Sequence, residues 1–340
     1  LNQSAHHLSA DSAAQEQALI RFRRLAMITL AAVYFLILVG ASVRASGAGM
    51  GCPDWPTCFG SWVPPTSEAQ LPANYQEIYA ELGYADTRFN VVKTWTEYTN
   101  RLVGVTIGFL IFLTALYSWP LRHFDRSIPI ASIASFLMVG FQGWLGAQVV
   151  ASNLQPGMIT LHMLMALAIV AALIFALAQA RRGIMAAQPV LSIDSRFSLW
   201  LYVVLVMTVI QVTLGTQVRE MTDFIREAQG EELRGSWIEF MPWFFYVHRS
   251  FSALVLLANL WLAKLLIDSL GWQHTLTRLT LAMLLVIGMA IFSGATLGHL
   301  GMPALIQPTH LLAASLIFGF QFLIWMSYRH SRDGRAGAKH

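Results

Sequence analysis

Charge is what this sequence has least of. Only 12% of its 340 residues are Asp, Glu, Lys or Arg, against 56% hydrophobic, where a soluble domain carries about 25% charged residues. Most of its surface therefore does not face water. Cysteine is nearly absent: Cys52 and Cys58 are the only two, and the five residues between them suit zinc poorly. The first 22 residues lack both the Arg-rich amphipathic character of a transit peptide and the order of a cleavable signal. Rich in Ala, Ser and Gln, with His6 and His7 paired, they are predicted to be a disordered tail.

Long apolar runs are abundant instead. Spans of about 20 residues, enough to cross a bilayer, are predicted at 25–43, 98–116, 128–150, 157–178, 198–218, 243–266, 276–296 and 304–328. A closed barrel would need short alternating segments, so the fold class is an all-α membrane protein. Arg21, Arg23 and Arg24, then Arg122 and Arg126, then Arg181, Arg182 and Arg196, then Lys264 and Arg278, and the tail's Arg329, Arg332, Arg335 and Lys339 all fall on one side of an even number of helices. The positive-inside rule then places both termini in the cytoplasm, as expected for a bacterial inner membrane. The net charge of +4 is a topology signal and gives no reason to expect nucleic acid.

The chain also repeats itself. The same interval, 148 residues, separates Asn100-Arg101 from His248-Arg249 and His162 from His310, and pairs Gly140 with Gly288 and Gly146-Ala147 with Gly294-Ala295. Arg44 and Arg219 close the first helix of each copy in matching Val-Arg contexts. Two pseudo-symmetric four-helix bundles follow: residues 23–180, with an outer loop at 46–97, and residues 197–328. A cytoplasmic linker at 181–196 joins them, and a tail occupies 329–340. Each copy has a polar side chain that can face a metal on its second and fourth helices.

Imidazoles projecting inward from facing helices are how a bundle holds haem. His248 and His310 would saturate the iron axially, which suits an electron-transferring haem b in the second half. In the first half His162 is paired with Asn100, and a carboxamide is a poor iron ligand, so one axial face stays open; open faces are where oxygen chemistry happens. Covalent c-type attachment is excluded, because Cys-x-x-Cys-His is missing. The other histidines lie in tails or loops, and His299, near the outer surface, is a lesser candidate for a haem edge.

Several residues carry two readings. Glu97, one turn before Asn100, is either an acid at the mouth of the first site or a helix-terminal charge paired with Arg101; its repeat counterpart is Phe245. Arg44, at the first-half site, and Arg219, at the second-half site, either hold haem propionates or snorkel to headgroups, and for Arg101 in the first half and Arg249 in the second propionate contact is preferred. The glycines either pack helices or make room for a macrocycle. Cys52 and Cys58 are a structural disulfide or a redox-active pair.

Taken with Val43-Arg44-Ala45-Ser46-Gly47-Ala48-Gly49, Cys52…Trp55-Pro56…Cys58, Glu97-Tyr98-Thr99-Asn100-Arg101, Gly146-Ala147-Gln148-Val149-Val150, Leu161-His162-Met163, Gly215-Thr216-Gln217-Val218-Arg219, His248-Arg249 and Pro308-Thr309-His310, the chain resembles the haem A synthase family from Arg23 to Tyr328. The resemblance implies conversion of haem O to haem A for terminal oxidases, by oxidation of the methyl at porphyrin position 8 to a formyl group. It implies haem b on His248 and His310, and haem O as substrate in the first half beside Glu97. That family normally has His where Asn100 stands, and some members have a second cysteine pair that is missing here. The partners implied are haem O, an electron donor that the residues do not identify, the enzyme that makes haem O, and the lipid bilayer; association with further copies of the chain is open.

Overall fold

A computed structural model describes residues 2–152, 154–187 and 196–337. Half of the expected linker, residues 188–195, and the end of the tail lie outside these residues. Among the described residues, eight helices are long and apolar enough to cross a membrane. We label them α1 (Asn2–Ala45), α2 (Val91–Ser118), α3 (Ser127–Ala151), α4 (Pro156–Ala180), α5 (Phe197–Gln229), α6 (Trp243–Leu270), α7 (Thr275–His299) and α8 (Ile306–Gly337).

Local chemistry sets several helix ends. The Asn90 side chain accepts the Lys93 N–H at 3.0 Å and caps α2. Pro156 occupies the first turn of α4, where its missing N–H costs nothing. Gly230 and Gly271, both at φ 76°, end α5 and α6.

Four helices run seven residues or more past the expected spans, α8 among them, which continues over the expected tail to Gly337. α1 continues back to Asn2, over the stretch expected as a disordered tail, in keeping with the helix propensity of its Ala, Gln and Leu. α2 begins at Val91, so Glu97 lies inside a helix. α5 runs beyond Val218 to Gln229, carrying Glu220, Asp223 and Arg226 on a helical extension where an outer loop was expected. Hydropathy stops at Val218, but ion pairs one turn apart, Arg219–Asp223 and Asp223–Arg226, favour continuing the helix, and Thr222 and Ile225 are buried by it.

Each half packs as a ring of four. In the first, α1–α2, α2–α3, α3–α4 and α1–α4 are neighbours; in the second, α5–α6, α6–α7, α7–α8 and α5–α8. α2 therefore faces α4, and α6 faces α8, across the diagonals. The arrangement is consistent with a duplicated unit. The halves join through α1–α8, α4–α8 and α4–α5, where Val33, Leu173 and Phe318 share one apolar cluster. Large side chains such as Val105, Leu285 and Phe292 point outward, as expected where lipid is the solvent.

The loop between α1 and α2 folds back onto the start of α2. A Cβ on Gly51 would lie 2.3 Å from the Lys93 carbonyl oxygen, so only glycine permits this approach. Cys52 and Cys58 form a disulfide and are fully buried. Beside them Phe59 meets Tyr75, Tyr79, Tyr84 and Phe89 edge to face. The Asp54 carboxylate ties the turn by accepting from the Phe59 and Gly60 N–H groups and the Thr57 hydroxyl.

Candidate functional site

His248 on α6 and His310 on α8 face one another, with ring centroids 6.3 Å apart and ring planes at 74°. Two metal–imidazole bonds of about 2 Å, with the half-width of each ring, span roughly this distance. Among the described residues no group of three or more His, Cys, Asp or Glu side chains could hold a metal ion. Two facing imidazoles suit instead a metal whose remaining ligands come with it, as a porphyrin's do. The rings adjoin a cavity of about 310 Å³ that also touches Arg44, Gly215, Arg219, Arg249, Gly294, His299 and Met302, and reaches Thr208, Val255 and Ser315 on the side away from the α7–α8 turn. The residues present thus fit a haem.

Each of the four positions singled out by the repeat lies against a glycine on an adjacent helix. A Cβ on Gly294 of α7 would sit 3.0 Å from His310 Cε1, and one on Gly215 of α5 would sit 3.1 Å from His248 Cε1. In the first half the corresponding distances are 3.4 Å from Gly146 to His162 Cε1 and 3.8 Å from Gly40 to Asn100 Oδ1. This separates the glycines that sequence left ambiguous: Gly146 and Gly294 seat imidazoles, whereas Cβ atoms on Gly140 and Gly288 would meet nothing within 4 Å. Gly40 and Gly215 were missed, although they stand in the same relation as Arg44 and Arg219.

Hydrogen bonds orient the rings to different degrees. His310 Nδ1 is 2.9 Å from the Ala290 carbonyl and 3.0 Å from Ser293 Oγ. Donation from Nδ1 to that carbonyl leaves Nε2 as the free lone pair, the usual arrangement of a ligating imidazole. His162 Nδ1, His248 Nδ1 and Asn100 Oδ1 are buried without a protein partner. Gln142 and Gln211 instead donate to the backbone carbonyls of His162 and His248, each at 3.0 Å. Intramembrane carboxamides are the signal that would have found both.

The arginines divide. Arg249 stands at the cavity rim with its guanidinium 5.7 Å from the Tyr246 ring centroid. Arg101, its repeat counterpart, is committed elsewhere. It donates to the carbonyls of Asp54 (2.7 Å), Thr57 (2.8 Å) and Cys52 (3.3 Å), and to Glu97 Oε1 (2.5 Å). Glu97 Oε2 accepts the Cys52 N–H at 2.7 Å. Glu97 and Arg101 therefore dock the disulfide loop onto α2, one turn from Asn100.

Arg44, assigned by sequence to the first-half site, lines the second-half cavity. Asp223 draws it there, accepting from Arg44 at 2.8 and 3.1 Å and from Arg219 at 2.5 Å, with Arg226 at 3.5 Å. Asp223, which sequence placed in a loop, thus joins the two repeat-related arginines across the halves. Nearby Glu220 is buried and accepts from Thr160 of α4 at 3.3 Å.

A family model described as cytochrome oxidase assembly protein, COX15-CtaA, matches residues 23–322. The chain is 31% identical over 176 residues to a protein of Methylobacterium radiotolerans named "Heme A synthase", covering 48% of this chain and 47% of that one. A "Heme A synthase" of Shewanella oneidensis is 31% identical over 137 residues, 40% and 39% of the two chains. A "Heme A synthase" of Chelativorans is 27% identical over 323 residues, 87% and 88%. The chain thus spans about half the length of the first of these relatives and most of the last.

Proposed function

The chain belongs to the COX15-CtaA family, and on that premise we propose that it is a haem A synthase, an oxidoreductase that converts the C8 methyl of haem O to a formyl group. The carrying observation is the pair of imidazoles 6.3 Å apart at an arginine-rimmed cavity. The proposed reaction is two successive hydroxylations, each taking one oxygen atom from dioxygen while the other leaves as water with two protons and two electrons from a donor, after which the gem-diol loses water to give the aldehyde. In the second half His248 and His310 would hold haem b, and that group would supply one-electron transfer.

The chain's own residues do the rest. Gly215 and Gly294 leave room for the two rings to face the cavity, and the Ala290 carbonyl keeps the His310 proton on Nδ1. Arg44, Arg219 and Arg249 offer guanidinium forks to propionate carboxylates. His162 would bind substrate haem O in the first half, where the position related by the repeat to His248 is Asn100, a carboxamide that ligates iron weakly if at all. Glu97, oriented by Arg101 and the Cys52 N–H, handles protons or steers the hydroxylated intermediate at the mouth of that site. The distribution of Lys and Arg supports an inner-membrane location with both termini cytoplasmic.

The test is to purify the protein from cells that make haem O and to separate the extracted haems. Hydroxylated and formyl derivatives are expected. Their absence, with haem O bound unchanged, would leave a carrier or an electron-transferring cytochrome and end this reading.

A further inference from the structure

α6 and α8 carry the facing imidazoles but are not packed neighbours; α5 and α7 stand between them. Further along, a side-chain hydrogen bond spans the diagonal. Asn259 and Gln321 each lie 11 residues beyond the histidine of their helix, about three turns, and so at a common depth. Gln321 Nε2 donates to Asn259 Oδ1 at 3.2 Å. Asn259 Nδ2 donates in turn to the carbonyl of Val255, at 2.8 Å, and Val255 lines the cavity. Asn259 is 0% and Gln321 1% exposed.

The repeat places Ile111 and Leu173 at these two positions of the first half, where both are core residues at 1% exposure. The same bundle therefore packs well without carboxamides. In the second half their burial costs desolvation, and Gln321 Oε1 is left without a protein partner. A feature that is expensive and dispensable for packing needs another reason. Apolar pairs tolerate sliding and rotation, whereas a carboxamide pair is satisfied in one register.

We propose that Asn259 and Gln321 form a crossbar that fixes the spacing and register of α6 against α8, so that the second half retains its haem while the first half, with Ile111 and Leu173, exchanges its own. Both are positioning residues. The inference rests on the proposed ligation by His248 and His310, and it assigns the halves different haem lifetimes: a resident group in one, a substrate that must leave in the other.

The experiment uses the full haem-loaded chain in detergent, with excess apomyoglobin as a haem trap. His248→Ala identifies the share of bound haem that belongs to the second half. The variant Asn259→Ile with Gln321→Leu imports the first-half pair; removing both partners leaves neither carboxamide unpaired, so the fold is expected to survive. It should keep the bis-imidazole spectrum but release second-half haem about 10-fold faster or more, as loss of outer-shell support does at metal sites, with first-half release unchanged. The exchanged pair, Asn259→Gln with Gln321→Asn, should return release towards the wild-type rate. Equal release by the wild type and the imported pair overturns the crossbar. Should the imported pair not fold, faster release by Gln321→Leu than by the exchanged pair supports the crossbar, and equal release by those two overturns it. A His248→Ala protein with undiminished haem would instead refute the ligation, and the crossbar with it.

Discussion

In the first half, charged side chains gather at the end covered by the disulfide loop, where Glu97 and Arg101 bind loop backbone, and deeper polar side chains meet between neighbouring helices, as Thr29 and Thr114 do at 2.8 Å. In the second, polar side chains extend between the diagonal helices, from His248 and His310 down to Asn259 and Gln321. Both halves share a ring of four helices and a glycine against each repeat-related side chain, so the difference arose on one scaffold. It suits the two demands proposed above: the first half ties its candidate site to the disulfide loop and carries a carboxamide on the helix diagonal to that of His162, while in the second two imidazoles face one another. Arg44 and Asp223 join them, since the arginine is built on the first half and lines the cavity of the second.

The most severe way to break this comparison is to remove a ring of the facing pair. His310→Ala or His248→Ala should lower second-half haem affinity by more than about 100-fold, beyond the loss typical of an outer-shell change. The bis-imidazole spectrum should vanish while haem bound through His162 persists. Loss of both haems together would mean that the halves are not independent sites.

Glu97→Gln comes next and tests the first half alone. It keeps the shape but removes the charge that Arg101 and the Cys52 N–H address at 2.5 and 2.7 Å. Formyl and hydroxylated haem should fall by about 10²-fold, the lower end of what a positioned acid or base contributes. The second-half spectrum should stay as it is. Undiminished product formation would reduce Glu97 to a tether for the loop.

The glycines give a graded comparison of the halves. Alanine at Gly294 or Gly215 must push an imidazole that lies 3.0 or 3.1 Å from the new Cβ, an overpacking cost of about 1–3 kcal/mol. At Gly146, with 3.4 Å, the cost should be smaller, and at Gly40, with 3.8 Å, close to nothing. Haem retention measured across the four variants should follow that order. A large effect at Gly40→Ala would show that Asn100 sits closer to bound haem than its spacing suggests.

Much of this was legible because membrane helices and internal repeats write themselves in long, regular signals. The eight spans follow from runs that only lipid tolerates, and the shared interval of His162 and His310 with Asn100 and His248 pointed to the candidate site. What escaped lies where hydropathy is silent. The extension of α5 is held by side-chain ion pairs beyond the apolar run, so Asp223 read as loop. Arg101 and Arg249 occupy equivalent positions, yet among the described residues only the first meets loop carbonyls, and loop conformation is not periodic. Asn259 and Gln321 were visible as carboxamides inside apolar runs, but their partnership depends on which helices are diagonal, a property of packing.

The smallest predicted effect concerns the loop that distinguishes the first half. Tyr84 is buried and donates its hydroxyl to the Met50 carbonyl at 2.6 Å. Burial, and then the nearby Glu97 carboxylate, push its phenol above the usual tyrosine range. The folded loop thus holds that proton more tightly than the unfolded chain does. Its contribution is whole below the unfolded pKa of about 10, and is lost as pH rises through the higher folded value. Reduction of the buried Cys52–Cys58 disulfide by a phosphine, whose reactivity is flat in alkali, reports loop opening. The wild-type rate should climb above about pH 10. Tyr84→Phe should open about 1 kcal/mol more easily at neutral pH, one hydrogen bond's worth, and show a flatter alkaline rise. Superimposable pH curves for the two proteins would mean that the phenol does not hold the loop, and the docking would then rest on the side chains of α2, Glu97 and Arg101 together with Thr94, whose hydroxyl donates to the Gly51 carbonyl at 2.8 Å.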